Sequence, residues 1–434
     1  MSADNKRYAV VGAGPMGLMA AMELLERGHR VEIYERDDRI GGMSASFDFD
    51  GLKIERYYHF VCKTDHALFE LMASLGLSER LKWTDTKMGY YYDGALYDWG
   101  TPWALLAFPK LDPVSKFRYA LHVMATKNVS DWSALDQVNA TAWLRRWLGD
   151  RGYEVLWRRT FQLKFFEYTE RLSAAWIGTR IKRVALSRRN LFNESLGYIE
   201  GGSETLLEAM ERKIVALGGA IHLKQGIDRV NAEDGRVTGV RLAGEDRACD
   251  AVISTVPIQY VPAMAPALPA EFAERIGRIE NIPVACVILK LRQRLSRNFW
   301  TNISDPGIEI PGLIEYSNLN PDADGASIVY APFYMPKTHP KWASSNAGLI
   351  DEVIGYLAAI NPDFEPGWVL ARHCHRYDFA QTICPPGFRA MLPPMRTPLH
   401  GFYMADTSYY YPEDRSINES VAVGRKLALA ALAG

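Results

Sequence analysis

Three glycines near the start of the chain have a spacing that can hold a dinucleotide, in the run Gly12-Ala13-Gly14-Pro15-Met16-Gly17. Gly12 permits a tight turn, Gly14 lets the backbone approach a pyrophosphate, and Gly17 lets a helix pack closely on a strand. Further along, Glu35 can accept hydrogen bonds from the hydroxyls of an adenosine ribose. The residues predicted to contact the dinucleotide here are Gly12, Gly14, Pro15, Met16, Gly17, Glu35 and Arg36.

A strand, a helix and a second strand must position these residues. Residues 8–11 form a short β-rich run, and apolar residues follow at helical spacing until Gly28 ends the pattern. Residues 30–35 then alternate as a second strand. In this β-loop-α-β order, the free N–H groups and the dipole of the helix N-terminus favour bound phosphate. The order makes a dinucleotide site a much stronger prediction than the glycines alone would.

A second glycine pair distinguishes between the two common dinucleotides. NAD and FAD share the first fingerprint, but Gly41-Gly42 in "RDDRIGGMSASF" provides another close backbone approach, which an extended FAD requires. Residues 10–42 resemble the opening of the flavin amine-oxidase superfamily, which includes protoporphyrinogen oxidases, phytoene desaturases and UDP-galactopyranose mutases. The resemblance implies FAD, with further contacts from Gly41, Gly42, Met43 and Ser44. The C-terminal motif has no cysteine for a thioether link, so we expect non-covalent FAD.

The superfamily pattern resumes near residue 196. Ser203 is predicted to cap a helix that ends at Gly218, and Asp234-Gly235 is a hairpin turn signal. The resemblance implies that the backbone at Val230 lies beside the adenine.

The C-terminal stretch carries a further set of predicted cofactor contacts. Asp406 ends an apolar strand, from which a carboxylate can bind the ribityl hydroxyls of FAD. Ser416 and Glu419 form a capping box that starts a helix at Ile417. The resemblance implies that this N-terminus points at the flavin pyrimidine, where a positive dipole raises the reduction potential. The predicted contacts are Asp406, Arg415, Ser416 and Ile417.

These patterns predict an α/β (α+β) fold with a Rossmann-type FAD-binding domain that is discontinuous in sequence. We assign residues 1–60, 195–265 and 395–434 to this domain. Residues 100–194 are rich in Trp, Leu and Arg at helical spacing and are predicted to form a helical cap. Residues 61–99 and 266–394 form the predicted substrate-binding domain, with a mixed or antiparallel sheet that the cap covers.

Two segments supply the predicted catalytic residues. His59, in "IERYYHFVCKTD", resembles a mutase motif beside the flavin and is a candidate acid, base or hydrogen-bond partner. Arg180 belongs to a second segment, which could seat an acidic substrate or form a solvated basic face. That segment contributes Lys164, Tyr168, Trp176, Arg180, Lys182 and Arg183, and further candidates for the pocket lining are Glu315, Tyr316, Tyr377 and Gln381.

A departure from the resemblance bears on amine oxidation. The amine oxidases carry a flavin-facing lysine on a strand that best matches "PVACVILKL". The register places Leu289 at that position and points its neighbour Lys290 to the other face. Amine oxidation is therefore disfavoured as the reaction.

Composition limits the partners. Lys and Arg number 50 against 51 acidic residues, so no net field attracts nucleic acid. The five cysteines lack CxxC spacing, so no metal or disulfide framework is expected, and a cytoplasmic location fits this cysteine usage. Without a signal-peptide region or a transmembrane run, the chain is expected to be soluble. Residues 99–125 could contact a membrane peripherally, and monomer and homodimer both stay open.

The leading functional hypothesis is an FAD-dependent oxidoreductase that moves a hydride from a substrate C–H bond to flavin N5. Its small-molecule substrate could be a porphyrinogen, a polyene, an amine or a sugar-type alcohol. The alternative is an isomerase in which reduced FAD acts on a nucleotide sugar without net redox change. A flavin-bearing membrane or partner-binding module without turnover is the third hypothesis.

Overall fold

The computed structural model describes residues 5–190, 193–321 and 325–434, so the first four residues of the predicted FAD-binding domain lie outside it. The strands are β1 (Arg7–Val11), β2 (Arg30–Tyr34), β3 (Ser46–Phe49), β4 (Leu52–Glu55), β5 (Leu81–Thr86), β6 (Met88–Tyr92), β7 (Ala95–Trp99), β8 (Glu194–Ile199), β9 (Ala220–His222), β10 (Arg229–Glu233), β11 (Arg236–Leu242), β12 (Glu245–Ala248), β13 (Ala251–Ser254), β14 (Asn281–Leu291), β15 (Trp300–Ile303), β16 (Gly312–Glu315), β17 (Ser327–Tyr334), β18 (Val369–Thr382) and β19 (Phe402–Met404). The helices are α1 (Pro15–Leu25), α2 (His66–Ser74), α3 (Pro102–Ala107), α4 (Pro113–Lys127), α5 (Ser133–Asp136), α6 (Ala140–Tyr153), α7 (Arg159–Phe165), α8 (Ala174–Leu186), α9 (Ser203–Ala216), α10 (Val261–Met264), α11 (Ala270–Gly277), α12 (Asn346–Ile360), α13 (Phe388–Met391) and α14 (Ile417–Leu432).

The first sheet is parallel, with strand order β19-β13-β1-β2-β9. Its strands come from the beginning, the middle and the end of the chain. Helix α1 starts with Pro15 in the first turn, where a missing N–H costs nothing, and all of its residues are buried. It packs between α9 and α14, so the C-terminal helix completes the layer beside the N-terminal one. This doubly covered parallel sheet is the predicted Rossmann-type unit.

A three-stranded antiparallel sheet, β10-β11-β12, follows α9 and β9 along the chain. Its first turn is Asp234-Gly235, and both residues have positive φ angles of 47° and 73°. Two positive φ angles match the twist of a type I′ hairpin, which explains why an Asp-Gly pair stands there. The hairpin prediction is confirmed.

The largest sheet has the order β18-β14-β17-β16-β15-β6-β7 and is antiparallel except where β15 runs parallel to β6. Its second strand, β14, lies between β18 and β17 and is apolar on both faces. Ala285, Val287 and Leu289 face a core cluster shared with α12. Val284 and Cys286, on the opposite face, line the main cavity. The predicted mixed sheet is therefore present, and one of its faces lines the main cavity.

Helices α3 to α8 form the cap over that face. Helix α4 packs against α6 and α8, and one π-helical turn, Glu154–Arg158, joins α6 to α7. Trp132 presses against α8 at Gly178, where an added Cβ would lie 2.3 Å from the indole ring. The observed layers confirm the predicted fold class.

One local prediction is wrong. Helix α9 is preceded by Gly201 and Gly202, both with positive φ, and Gly202 is its N-cap. Ser203 is the first helical residue, and its hydroxyl donates to Oε1 of Glu55 at 2.5 Å instead of capping the helix. The glycine pair moves the start of the helix by one residue and frees the serine for a distant partner.

Candidate active site

A cavity of about 1160 Å³ runs from the Gly12 loop to the helical cap. Its wall includes residues of the parallel sheet, the large sheet and the cap, so all three layers close around it. This volume exceeds the roughly 300–1,000 Å³ that is usual for one small-molecule site. The cavity has room for a cofactor together with a substrate.

The Gly12–Gly17 loop shows why glycine stands at each position. Gly12 has a φ of +101°, and a Cβ on Gly17 would lie 2.0 Å from the carbonyl oxygen of Gly12. A Cβ on Gly14, in contrast, would meet no protein atom within 4 Å and would project into open space at the cavity wall. Gly17 is thus required by packing, and Gly14 by whatever occupies the cavity.

Glu35 connects the end of β2 to this loop. Its two carboxylate oxygens accept hydrogen bonds from the backbone N–H groups of Ala13 and Asp37, each at 2.8 Å. The carboxylate is thereby held in place at the cavity wall, with lone pairs remaining for a ligand. Arg36 also lines the cavity, and its guanidinium lies 5.6 Å from the ring centre of Tyr260.

The second glycine pair lies against the first loop. The N–H of Gly41 donates to the carbonyl of Ala13 at 2.8 Å, and a Cβ on Gly42 would lie 3.6 Å from Cα of Gly14. Gly41 and Gly42 have φ angles of 108° and 55°, so the chain turns tightly there. Gly42, Met43 and Ser44 face the cavity, whereas Gly41 supports them from behind.

The C-terminal motif forms the opposite side of this end of the cavity. Asp406 accepts hydrogen bonds from the N–H of Ile258 at 3.0 Å and from the N–H and hydroxyl of Ser408. Burial nevertheless raises the pKa of its carboxyl. Ser416 caps α14 by accepting the N–H of Glu419 at 3.1 Å. Together with Arg415, Asp406 and Ser416 line the cavity.

His59 lies between two polar side chains at the cavity wall. Its Nδ1 donates to Oε2 of the buried Glu55 at 2.7 Å, and its Nε2 lies 3.4 Å from the hydroxyl of Ser44. The other oxygen of Glu55 is occupied by the N–H and hydroxyl of Ser203. Glu55 therefore fixes the ring orientation and leaves Nε2 as the atom that faces the cofactor loop.

Cations from α7, α8 and the segment before α14 meet where the C-terminal motif reaches the cap, in a region that we call the cap end of the cavity. We call Lys164, Arg180, Asp414 and the predicted cofactor contact Arg415 the cation cluster. Nη1 of Arg180 pairs with Oδ2 of Asp414 at 3.1 Å. Burial alone would raise the pKa of the Asp414 carboxyl, but Arg180, followed by Lys164 and Arg415, holds that pKa well below its usual range. Burial lowers the pKa of Lys164 well below its usual value, and Arg180 lowers it further.

The other predicted substrate contacts divide between those that line the cavity and those that do not. Trp176 packs against Lys164, and Arg183 and Tyr377 line the cavity. Lys182 instead donates to the carbonyl of Val129, and Tyr168 stacks with Arg171 away from the cavity. The basic segment is therefore neither wholly a solvated face nor wholly a binding surface.

Three lining predictions in the substrate sheet are corrected. Glu315 is buried and accepts hydrogen bonds from the N–H groups of Leu295 and Ser296, so its carboxylate serves the protein interior. Tyr316 faces a separate small cavity, and Gln381 is buried outside the main cavity. The predictions failed because strand alternation alone does not say which face of a sheet the cap will cover.

The position assigned to the amine-oxidase lysine is also corrected. Leu289 lies in the core against α12, on the face of β14 that points away from the cavity. Lys290 lies near the strand end and donates to Asp50 at 2.8 Å. Cys286 occupies the cavity-facing position, and burial raises the pKa of its thiol. A thiol with a raised pKa stays protonated, so Cys286 provides no charge there.

Two predicted cofactor contacts are placed behind the wall. Val230 is buried in the core, and the cavity is lined instead by the segment Gly226, Ile227 and Asp228 just before β10. Ile417 faces the small neighbouring cavity.

Sequence reasoning missed several aromatic residues that line the main cavity, although the tyrosine pair before His59 was a visible signal. These are Tyr57, Tyr58, Trp157, Trp300 and Tyr334.

The loop geometry fits a dinucleotide. An open cradle at Gly14, a helix N-terminus behind it and a fixed carboxylate at the end of β2 are the three features that hold a pyrophosphate and a ribose. A family model described as flavin containing amine oxidoreductase matches residues 17–418. The chain belongs to this family of flavin-containing oxidoreductases, and FAD is its cofactor.

Similar proteins agree with this assignment. The chain is 25% identical over 320 residues to a 15-cis-phytoene desaturase of Synechococcus elongatus, a match that covers 67% of this chain and 66% of that protein. It is 24% identical to a zeta-carotene desaturase of Synechocystis, which covers 98% of this chain and 97% of the relative. A solved structure of wild-type putrescine oxidase bound to putrescine shares the fold, with a TM-score of 0.76, 17% identity and 99% of each chain covered.

Proposed function

We propose that this protein is an FAD-dependent oxidoreductase that oxidises a small molecule at a C–H bond. The observation that carries the proposal is the continuity of one cavity from the Gly12 loop to a chamber enclosed by the large sheet and the cap. When bound there, FAD supplies a two-electron acceptor that takes a hydride at its N5 atom. The first relatives matched are only about two-thirds covered by this chain, so their substrates stay candidates.

The chain itself orients the substrate and excludes water. Aromatic side chains from the large sheet and from the segment before His59 form an apolar wall, while α4 and α7 close the cavity from the cap side. A chamber with such walls holds the substrate in one pose and strengthens electrostatic interactions inside it. His59, oriented by Glu55, is the group that can hold or move a proton at its Nε2 atom.

Anaerobic addition of candidate substrates to the purified holoenzyme tests the function. Amines, polyenes, porphyrinogens and sugar-type alcohols are added one class at a time while the flavin absorbance is recorded. Bleaching by one class is expected and would identify the oxidised substrate. If no class bleaches the flavin, but nucleotide sugars perturb the spectrum after chemical reduction, the isomerase alternative replaces this proposal. The relatives described above are desaturases and an oxidase, which favours the first outcome.

We also propose that the protein contacts an anionic membrane surface through the cap. Helices α3 and α4 expose large apolar side chains, with Phe117 at 69% and Trp103 at 67% of full exposure. We call this set the apolar face: Trp103, Leu106, Val114, Phe117, Leu121 and Met124. Nζ of Lys116 donates to the carbonyl of Leu106 at 2.6 Å and so links α4 to α3. Exposed apolar surface of this kind marks an interaction site.

Charge and position support a lipid partner. Residues 100–128 contain Lys110, Lys116, Arg118 and Lys127 against one acid, Asp112, although Lys110 pairs with Asp93 outside this segment; the whole chain has a net charge of -1. An amphipathic helix with cations beside its apolar side binds anionic bilayers. The opposite side of α4 lines the cavity at Tyr119 and Val123, so apolar molecules in the bilayer would lie close to the site. No helix among the described residues is long and apolar enough to cross a membrane.

Vesicle flotation tests this contact. Wild-type protein is expected to float with phosphatidylcholine vesicles containing phosphatidylglycerol, and the double variant F117S/L121S is expected to stay behind. Val215→Ser is the matched control, because Val215 is similarly exposed but lies on α9. Equal flotation of wild type and the double variant would refute the proposal. The proposal would also be refuted if the wild type formed a dimer that did not bind vesicles and if the double variant failed to form that dimer, because the apolar face would then be a dimer interface.

A further inference from the structure

We propose that Lys164 and Arg415 form an oxyanion subsite at the cap end of the cavity, which binds a carboxylate or phosphate group of the substrate. The proposal rests on the proposed function, because it names the kind of group that the oxidised molecule carries. It requires two cations that face the cavity, that lack a carboxylate of their own, and that are too buried to be neutralised by bulk water.

Lys164 meets these requirements most clearly. Its side chain is only 7% exposed, it faces the cavity, and its ammonium group has no hydrogen bond or ion pair with any residue in the described part of the chain. Aromatic rings surround it instead: Nζ lies 5.2 Å from the ring centre of Trp176, 5.3 Å from Tyr334 and 5.5 Å from Phe165. A buried lysine without a counter-charge either gives up its proton or takes a counter-charge from a ligand, so Lys164 can bind an anion by regaining its proton.

Arg415 is the second cation, and its partners are neutral. Its guanidinium donates to the carbonyl of Ala380 and, at 3.2 Å, to the hydroxyl of Tyr334. The Nε–H of the same group is buried and unpartnered among the described residues. Tyr334 therefore touches both cations, since its ring packs on Lys164 and its hydroxyl accepts from Arg415.

The charges nearby do not compensate this pair. Asp414 is engaged by Arg180 at 3.1 Å, and Arg183 is engaged by Asp65 at 2.9 Å. With Lys164 protonated, the cation cluster contains three cations and one carboxylate, a formal excess of two positive charges inside a cavity. An oxyanion placed there would be held by charge-assisted hydrogen bonds and would offset this excess in part or in full, according to its own charge.

Proton binding makes the subsite sensitive to pH. The charged and titratable groups around Lys164 are Arg180 from α8, Asp414 and Arg415 before α14, and Tyr58 and Tyr334 from the cavity wall. Burial, Arg180 and Arg415 lower the pKa of Lys164, and Asp414 opposes them only in part, so the neutral amine is favoured until a bound anion stabilises the ammonium. Anion binding should therefore be accompanied by proton uptake, and affinity should fall as the pH rises.

Titration of the FAD-loaded protein with simple amphiphiles tests the subsite. The probes are decanoate, decyl phosphate, decanol and decylamine, and binding is followed by the flavin difference spectrum. We expect both anions to bind at least tenfold more tightly than decanol or decylamine. We also expect the affinity of the wild type for both anions to fall as the pH rises. A Lys164→Met variant should bind both anions at least tenfold more weakly and lose the pH dependence, while Lys164→Arg should keep most of the affinity.

Lys182→Met is the matched control, because Lys182 lies on α8 but bonds to the carbonyl of Val129 outside the cavity. Unchanged anion affinity in Lys164→Met, or equal binding of decanol and decanoate, would refute the subsite. Loss of FAD from Lys164→Met, with Lys182→Met still loaded, would also refute it, by showing that the lysine serves the cofactor. These are binding measurements, so a failure of the proposed oxidation would appear separately, as the absence of flavin bleaching by any substrate class.

Discussion

The end of the cavity at the Gly12 loop, which we call the nucleotide end, is built around two glycine turns, whereas the cap end is built around charged and aromatic side chains. The Gly12 loop and the Gly41-Gly42 turn bring main chain to the surface of the cavity, and Glu35 is held by two N–H groups. At the cap end, Lys164 and Arg415 project into the cavity with hydrogen-bonding capacity left over. Both ends leave groups for a ligand, but the first offers them mainly from its main chain and the second from its side chains.

This contrast explains why a family can keep its cofactor and change its substrate. Backbone recognition depends on glycine positions and strand order, which tolerate little change. Side-chain recognition depends on which residues project from a sheet face and a cap, and these can be replaced one at a time. We expect substitutions at the nucleotide end to remove the cofactor, and substitutions at the cap end to change selectivity, pH response or stability.

The largest expected effect separates two glycines of the same loop. Gly14→Val should fold normally but lose FAD, because the new side chain enters open space where a pyrophosphate would lie. Gly17→Val should fail to fold stably, because its Cβ would clash with the Gly12 carbonyl at 2.0 Å. Thermal melting and flavin content of the two purified variants check this. If the Gly14→Val protein kept its full FAD content, the cofactor would not depend on the open backbone at Gly14, and the contrast between the two ends would be wrong.

Glu35→Ala should weaken FAD binding by about 100-fold, or about 2.7 kcal/mol, because it removes both the ribose acceptor and the clamp on the Ala13 and Asp37 amides. The dissociation constant can be measured by reloading apoprotein with FAD. Glu32→Ala is the control, because Glu32 lies on the same strand and is largely exposed. Similar FAD affinities in the two variants would show that Glu35 has no special role.

The pH dependence of stability at Glu194 shows whether water reaches this part of the cavity wall. Burial raises the pKa of this cavity-lining carboxyl to about 7, from an ordinary value of 4.5. The folded state therefore holds the proton more tightly than the unfolded state, so the stability from this group is full below pH 4.5 and is lost as the pH rises through 7. Glu194→Gln should be more stable than wild type by about 2 kcal/mol at pH 8 and nearly equal to it at pH 4.

Urea unfolding at both pH values measures this difference. Glu200→Gln serves as the control, since Glu200 is a surface partner of Arg80 and its loss should matter by less than about 0.5 kcal/mol. A Glu194→Gln variant whose advantage does not change with pH would show that water reaches this part of the cavity.

The smallest expected effect is on the rate of flavin bleaching and follows from a change at His59. His59→Gln keeps a hydrogen-bonding side chain but cannot hold a second proton, so we expect the rate of flavin bleaching to fall about tenfold. FAD content and melting temperature should stay near wild type. Stopped-flow measurement of the bleaching rate checks this. An unchanged rate would limit His59 to a structural role.

The sequence predicted the nucleotide end well because its signals are local. The Gly12–Gly17 loop, the Asp234-Gly235 turn and the Ser416 cap each depend on residues within a few positions of one another. Ser203 looked equally local, but the preceding Gly202 took the cap position and Glu55, 148 residues away, took the hydroxyl. A cap prediction is safe only when no competing partner lies nearby in space.

The cap end could be predicted only in outline. Arg180, Arg183 and Lys164 reach the cavity, yet Lys182 in the same basic segment turns to Val129. Leu289 and Cys286 lie three positions apart on β14, and the placement of α12 against one face decides which of them meets the cavity. Which side chains face the cavity depends on contacts between elements that are distant in sequence. The periodicity of a strand or helix alone cannot predict those contacts.

The order of strands in the parallel sheet also has a consequence for how the protein is made. Strand β1 pairs with β13, about 240 residues later, and β13 pairs with β19 near residue 403. A ribosome must therefore release nearly the entire polypeptide before the sheet can close and α14 can dock. Until then the early strands have unpaired edges. Because FAD binds the folded sheet and not the unfolded chain, FAD can stabilise the sheet by mass action once β19 has paired.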